Sequence, residues 1–288
     1  MTSQKARKAQ KALNVFNVLN VFSAALLLAS APLSAQAFGG DSSKKPETVV
    51  AKTAAETGGK RILPVISEPV VIYFHGLYSN SAEPFCLPGG KKGLIFNAFK
   101  LNSPSLEMKS FEYDNGKVIT GDYADLVQQF DSCVKDFGIN NRRIILVGVS
   151  LGGYAMFQMY NKLSDSAKDL VAGAICIGCP ENLDTCFRKT RSGPVLDVYK
   201  SFDGQLADKS ISKQLAAGRV PPVVVFVRFH EDTSVPHAAN RALIPFMKKK
   251  GANCLEIEIE DKHGIPSQLN LEHAYQQFKA LANNTPGL

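Results

Sequence analysis

The chain has 288 residues, of which 45% are hydrophobic, and it can therefore bury one substantial core, as one large domain or two small ones. Its formal charge of +7 suggests a protein that binds polyanions. However, four basic residues and no acidic residue lie in positions 1–37, and the remainder carries 29 basic and 26 acidic side chains, a net charge of +3. The charge therefore gives no case for a nucleic-acid partner.

Residues 1–37 have the pattern of a signal peptide. A basic start, "MTSQKARKAQK", precedes the apolar stretch "VFSAALLLASAPL", and "AQA" ending at Ala37 places small residues where signal peptidase cleaves. The apolar run is too short to span a bilayer comfortably, and no later segment is long enough. We therefore expect cleavage after Ala37, export to a bacterial periplasm or the outside medium, and no stable membrane insertion of the mature chain.

Residues 38–61 are small and polar and predict a flexible lead-in, whereas residues 62–288 predict one folded domain in which apolar runs alternate with helical spacing. The apolar runs predict strands at 70–74, 106–113, 143–149, 171–178, 222–229 and 254–260. The helical spacing predicts helices at 122–138, where Gly138 closes the helix, and at 152–164, 237–251 and 266–282.

This alternation predicts the fold class. Continuous apolar strands are typical of a sheet covered on both faces, and strand-helix alternation is typical of parallel strands. The sequence therefore predicts an α/β fold with a mostly parallel central sheet and helices on both faces. The interval of about 180–221 does not fit the alternation, since it is polar and rich in Lys, Asp and Ser. We expect it to form a short polar cap insertion over one end of the sheet.

The six cysteines all lie after Ala37, and an even number in an exported chain is typical of disulfides. Cys179 and Cys186 bracket a short polar loop, so we expect this pair to form a disulfide first. A redox role for "CIGC" is disfavoured because Cys176 lies inside a strand-like run, whereas a reactive Cys-x-x-Cys normally opens a helix. No histidine follows at the spacing of a zinc finger, so the sequence predicts no metal site.

The stretch "ILVGVSLGG" places Ser150 between Gly148 and Gly152 at the end of a predicted buried strand. Ligands of parallel sheets bind beyond the carboxyl ends of the strands. A G-x-S-x-G sequence here predicts a tight strand-to-helix turn with unfavourable serine backbone angles, in which side chains at the two glycines would collide with the chain. The serine hydroxyl is then exposed, and the Leu151 amide at the helix N-terminus points toward a developing oxyanion.

With "GVSLGG" between a strand-like run and a helix, the segment from about residue 68 to 282 resembles the α/β-hydrolase superfamily. Members of this superfamily place a catalytic triad in the chain order serine, acid, histidine. The resemblance implies that Ser150 is the nucleophile and that His263 in "EDKHGIP" is the base. Asp232 in "HEDTSVP" matches the position of the acid, and Glu231 is the alternative.

The resemblance also implies an oxyanion hole. His75 and Gly76 follow the first strand in "VVIYFHGLYSN", as the superfamily's His-Gly element does. The amide of Leu77 would then be the second oxyanion donor beside that of Leu151. His75 would shape the loop, and Gly76 would let the backbone approach the substrate closely. Such a mechanism requires neither a metal nor an organic cofactor.

The superfamily includes esterases, lipases, peptidases and thioesterases, and the fold does not choose among them. The insertion carries Lys189, Arg191 and Lys200 and lacks the long apolar lid of a lipase, and export disfavours coenzyme A thioesters. We expect an exported serine hydrolase that cleaves carboxylic esters of small or soluble substrates. A serine peptidase of the prolyl-oligopeptidase type is the alternative because "SLGGY" resembles that elbow. A non-catalytic binding protein is a third possibility, disfavoured because no triad residue is missing.

Overall fold

The computed structural model describes residues 69–87, 91–136, 143–202, 205–206, 210–286 and 288. The predicted signal peptide, nearly all residues up to the first strand and the predicted helix end at Gly138 lie outside the described residues. No helix in these ranges is long and apolar enough to cross a bilayer.

A six-stranded parallel sheet forms the centre of the described chain. Its strands are β1 (Val70–Phe74), β4 (Glu107–Phe111), β5 (Ile144–Val149), β6 (Val171–Ile177), β7 (Val223–Phe229) and β8 (Asn253–Ile259). Two short strands, β2 (Cys86–Leu87) and β3 (Lys91–Lys92), form a separate pair. The order in the main sheet is β4-β1-β5-β6-β7-β8, and every neighbouring pair is parallel. All six of these strands were predicted to within two residues at each end, whereas the antiparallel β2–β3 pair was not predicted.

Helices cover both faces of the sheet. They are α1 (Leu94–Asn102), α2 (Asn115–Thr120), α3 (Ala124–Asp136), α4 (Leu151–Lys162), α5 (Asp165–Asp169), α6 (Leu183–Lys189), α7 (Gly193–Lys200), α8 (Ile211–Gln214), α9 (Leu243–Lys249) and α10 (Gln268–Asn283). Helices α3 and α4 pack with alternate side chains of β1 on one face, and α1 and α10 pack with the remaining ones on the other. The predicted mostly parallel α/β fold with two covered faces is thus confirmed.

The predicted helix at 237–251 is wrong in its first half. The structure has a short 3₁₀ turn at His237–Ala239 and an α-helix that begins only at Leu243. Pro245 explains the late start, because proline is tolerated in the first turn of a helix but clashes with the carbonyl four residues earlier in a helix interior.

The insertion at 180–221 lies between β6 and β7 and contains α6, α7 and α8. Despite its polar composition, it buries apolar side chains in the same core cluster as α4, namely Leu183, Tyr199, Leu206, Ile211 and Leu215. The insertion is therefore part of the hydrophobic core on one face of the sheet and does not form a core of its own.

Candidate active site

Ser150 lies in a sharp turn between β5 and α4. Its backbone angles are φ 52° and ψ −122°, and Tyr78 is the other non-glycine residue with positive φ in the described ranges. A Cβ added to Gly148 would lie 2.6 Å from Gly153 Cα. A Cβ added to Gly152 would clash with the backbone carbonyl oxygens of Phe74 and His75. Both glycines are therefore required by close backbone approach, and the turn holds the serine in strained geometry.

Three predicted side chains meet at the carboxyl edge of the sheet. His263 Nε2 lies 2.8 Å from Ser150 Oγ, and His263 Nδ1 lies 2.7 Å from Asp232 Oδ2. The other carboxylate oxygen of Asp232 accepts the amides of Ser234 (2.9 Å) and Val235 (2.7 Å). The Asp232 side chain is only 6% exposed, so its charge is shielded from water and satisfied by these donors. The arrangement can pass a proton from the serine hydroxyl to the imidazole.

Glu231, the alternative acid, is exposed, and no hydrogen bond or ion pair joins it to His263 in the described part of the chain. The histidine ring is also held by groups that the sequence analysis did not identify. The ring of Phe229 lies 5.6 Å from it, and a Cβ on Gly178, whose φ is +56°, would lie 3.0 Å from His263 Cε1.

The loop after β1 passes directly beside Ser150. A Cβ added to Gly76 would lie 3.7 Å from Ser150 Cβ. The amide of Leu77, which follows Gly76, and the amide of Leu151, the first residue of α4, have no hydrogen-bond acceptor among the described residues. Two amides without an acceptor among the described residues therefore follow Gly76 and Ser150, and they are the candidate donors to an oxyanion.

Solved structures of hydrolases are similar to this chain. The acylaminoacyl peptidase of Pyrococcus horikoshii has a TM-score of 0.53 at 15% identity, over 75% of this chain and 37% of that one. A puromycin-hydrolyzing peptidase of Mycobacterium tuberculosis has a TM-score of 0.55 at 15% identity, over 76% and 34%. Esterase B from Lactobacillus rhamnosis HN001 has a TM-score of 0.53 at 16% identity, over 76% and 78%. The chain has the α/β-hydrolase fold.

The resemblance inferred from "GVSLGG" is thus confirmed at the level of the fold. The matched region spans little more than a third of the length of the two peptidases and about three quarters of the esterase. No protein-family model matches the chain, and no characterised protein matches it by sequence.

The loop after β1, residues 75–85, contains the candidate oxyanion donor Leu77 and is called the oxyanion loop below. A carboxylate that the sequence analysis missed fixes its position. Glu83 accepts hydrogen bonds from the Gly76 amide (3.3 Å) and from the hydroxyl of Tyr73, which is fully buried in β1. Tyr78 adds a second tie, because its hydroxyl donates to Pro194 O in α7 at 2.7 Å and so links the loop to the insertion. Both contacts hold the backbone on either side of Leu77.

His75 shapes the same loop from inside the protein. Its ring stacks on Tyr113 with a centroid distance of 4.1 Å, and the Tyr113 hydroxyl donates to the carbonyl of His75 at 2.5 Å. Burial lowers the pKa of His75 below its ordinary value of 6.5, and Glu112 Oε1, at 4.0 Å, does not offset this effect. His75 is therefore a neutral, packed side chain.

The predicted disulfide between Cys179 and Cys186 is absent from the structure, in which both cysteines are free thiols. The Cys179 thiol donates to Pro180 O (3.3 Å), and the Cys186 thiol, on α6, donates to Ser234 O (3.4 Å). Burial raises the pKa of Cys186 to about 12 and that of Cys179 well above 9. Both sulfurs are thus protonated and poorly nucleophilic. Within the described residues, no cluster of His, Cys, Asp or Glu could hold a metal ion.

Proposed function

We propose that this chain is a serine hydrolase that cleaves carboxylic esters of small or soluble substrates through a covalent acyl-enzyme intermediate. The observation that carries the proposal is the continuous chain of hydrogen bonds from Ser150 Oγ through His263 to Asp232, at 2.8 and 2.7 Å. A serine without a catalytic role does not require a strained backbone or a hydrogen bond to a part-buried histidine-carboxylate pair, whereas a nucleophile uses both.

In the proposed reaction, Ser150 Oγ attacks the ester carbonyl while His263 Nε2 takes the hydroxyl proton. Asp232 holds the imidazole in the tautomer that accepts this proton and stabilises the imidazolium that forms. The amides of Leu77 and Leu151 donate to the oxyanion of the tetrahedral intermediate, and each donor of this kind is worth about 3 kcal/mol. The intermediate collapses, and the leaving alcohol takes the proton from His263.

The second half of the reaction reverses these roles with water. His263 removes a proton from a water molecule, whose oxygen attacks the acyl carbon and forms a second tetrahedral intermediate. Collapse of this intermediate returns the proton to Ser150 Oγ and releases the carboxylic acid. No residue beyond the triad and the two amides is needed for proton transfer or charge stabilisation.

A serine peptidase is the second candidate, and it is supported by the similarity to the two solved peptidase structures and by "SLGGY" at 150–154. We favour the esterase because the chain spans little more than a third of those peptidases but about three quarters of esterase B. The rest of each peptidase chain, about two thirds of its length, is not matched by any part of this chain.

The test compares a p-nitrophenyl ester with the p-nitroanilide of the same acyl group. We expect the ester to be hydrolysed and the anilide to be cleaved at least about 10²-fold more slowly, with both activities reduced at least about 10³-fold in Ser150→Ala. Anilide cleavage as fast as ester cleavage, and dependent on Ser150, would assign the chain to the peptidases. A folded wild type that hydrolyses neither would favour a binding protein.

We also propose that the protein acts outside the cytoplasm after removal of residues 1–37. The basis is the basic, apolar and small-residue order of this segment. N-terminal sequencing of the protein recovered from a periplasmic extract or culture medium should begin at Phe38. A protein that is recovered from the cytoplasm with Met1 intact would contradict the proposal.

A further inference from the structure

A cavity of about 880 Å³ adjoins the acid of the proposed triad. Its lining includes Asp232 and its neighbours on the loop after β7, Lys189 at the end of α6, Arg191 just beyond that helix, and Lys262, which directly precedes His263. Ser150 is not part of the lining. The cavity therefore lies next to the catalytic centre, on the side of the acid and the histidine loop.

The cavity carries cations without partners. Lys189, Arg191 and Lys262 are exposed, and in the described part of the chain none of them has an acidic partner. Of the two carboxylates on the lining, Asp232 is already bonded to the catalytic histidine and to two amides, which leaves Glu231 as the only exposed acidic side chain there. Cationic charge therefore exceeds the anionic charge available to balance it.

Hydrogen bonds join the insertion to the loop after β7 at this point, so the backbone that carries Arg191 is fixed beside Asp232. The Arg191 amide donates to Thr233 O at 2.8 Å, and the Thr190 hydroxyl donates to the same oxygen at 3.2 Å. The two histidines of the lining are engaged elsewhere, His230 with Glu258 at 3.2 Å and His237 with Arg228 at 3.0 Å. The three cations are thus the groups that remain for a ligand.

We propose that this cavity is an anion-binding subsite, and that the ester cleaved at Ser150 carries a carboxylate which Arg191 and Lys262 bind there. This inference rests on the proposed esterase function. Two hydrogen bonds and the imidazole ring separate Ser150 Oγ from the acid that lines the cavity. A chain of roughly six bonds between ester carbonyl and carboxylate, at about 1.2 Å per bond, spans a distance of this order and is therefore used in the test.

The test compares monomethyl pimelate with dimethyl pimelate in a pH-stat assay, since the two esters have the same length and differ in one charge. Monomethyl succinate is the control for length, and 6-acetoxyhexanoate places the carboxylate on the alcohol side. We expect kcat/KM, counted per ester group, to be higher for monomethyl pimelate than for dimethyl pimelate, or for 6-acetoxyhexanoate than for its methyl ester, with no such preference for monomethyl succinate over dimethyl succinate. Added salt should reduce this preference by screening the charges.

Arg191→Gln and Lys262→Gln should each reduce the ratio of kcat/KM for the anionic ester over the neutral ester by roughly two- to fivefold, the range for an exposed ion pair. Lys249→Gln removes an exposed lysine of α9 outside the cavity and should leave the ratio unchanged. A wild-type ratio of one or less for both anionic esters, or a ratio that neither substitution changes, overturns the inference while the esterase function stands.

Calorimetric titration with pimelate separates this inference from the proposed function if the wild type hydrolyses no ester. Pimelate binding that is lost in the Arg191→Gln, Lys262→Gln double variant supports the subsite although the esterase function fails, and absence of binding to the wild type overturns it. In a further outcome, inorganic phosphate alters dimethyl pimelate hydrolysis, but monomethyl pimelate is not hydrolysed in preference to dimethyl pimelate. The cavity then binds a free anion, and the proposal that the substrate carries a carboxylate is wrong.

Discussion

Gly152→Ala tests the close contact between the nucleophile helix and the oxyanion loop. The added Cβ would fall on the carbonyl oxygens of Phe74 and His75, which are backbone atoms that cannot rotate away. Either α4 or the loop must therefore move, and Leu151 and its neighbours in the first turn of α4 are fully packed. Overpacking of this kind costs about 1–3 kcal/mol, and each kcal/mol lowers Tm by about 2–4 °C in a domain of this size. We expect Tm to fall by roughly 2–12 °C.

The same shift displaces the amide of Leu77 from the serine, and the loss of one oxyanion donor reduces kcat by about 10²–10³. Gly264→Ala is the matched control, because a Cβ there has no atom within 4 Å. Thermal unfolding followed by circular dichroism and hydrolysis of a p-nitrophenyl ester measure the two effects. A Gly152→Ala variant that melts within about 1 °C of the wild type and keeps its kcat would refute the close-approach argument.

Four further outcomes are expected. Asp232→Asn should lower the kcat for ester hydrolysis by about 10³–10⁴ because the imidazole tautomer is no longer held. Glu231→Gln should lower kcat far less. If the two variants show the reverse order, the acid is Glu231. Tyr78→Phe removes the 2.7 Å bond to the insertion and should destabilise the protein by about 0.5–1.5 kcal/mol in urea unfolding, with kcat reduced more than KM is changed. Burial lowers the pKa of His75 from 6.5, so the neutral ring contributes stability above pH 6.5. This stability is lost as the pH falls from 6.5 through the lowered pKa. The Tm of His75→Gln, which has no such group, should therefore fall less steeply below pH 6.5 than the Tm of the wild type. Thiol titration of the unfolded, unreduced protein should count six thiols, with Cys86 reacting first in the native protein, and a lower count would reveal a disulfide.

The sheet and the three meeting side chains could be predicted for a common physical reason. Strands covered on both faces are continuous apolar runs, which can be read directly from "VVIYF" and "VVVFVRF". Parallel strands end at one edge of the sheet, so residues that follow them, such as Ser150, Asp232 and His263, are brought together although they are far apart in sequence. The strand ends limited the candidates, and the resemblance to the α/β-hydrolase superfamily, with its order serine, acid, histidine, then selected these residues.

The supports of the oxyanion loop could not be predicted, because they are contacts between distant segments without a sequence motif. Tyr113 and His75 are 38 positions apart, and Tyr78 and Pro194 are 116 positions apart. The disulfide prediction failed for a related reason. Sequence spacing brings Cys179 and Cys186 close along the chain but does not determine side-chain direction, and α6 directs Cys186 toward Ser234.

The central claim is that Ser150 is an activated nucleophile, and covalent labelling tests it most directly. The mature protein and Ser150→Ala are each treated with a fluorophosphonate probe, and their intact masses are measured after both are shown to be folded by circular dichroism. The account predicts one adduct on the wild type and none on Ser150→Ala. A folded wild type that remains unlabelled, or a Ser150→Ala variant that is labelled equally, would contradict it.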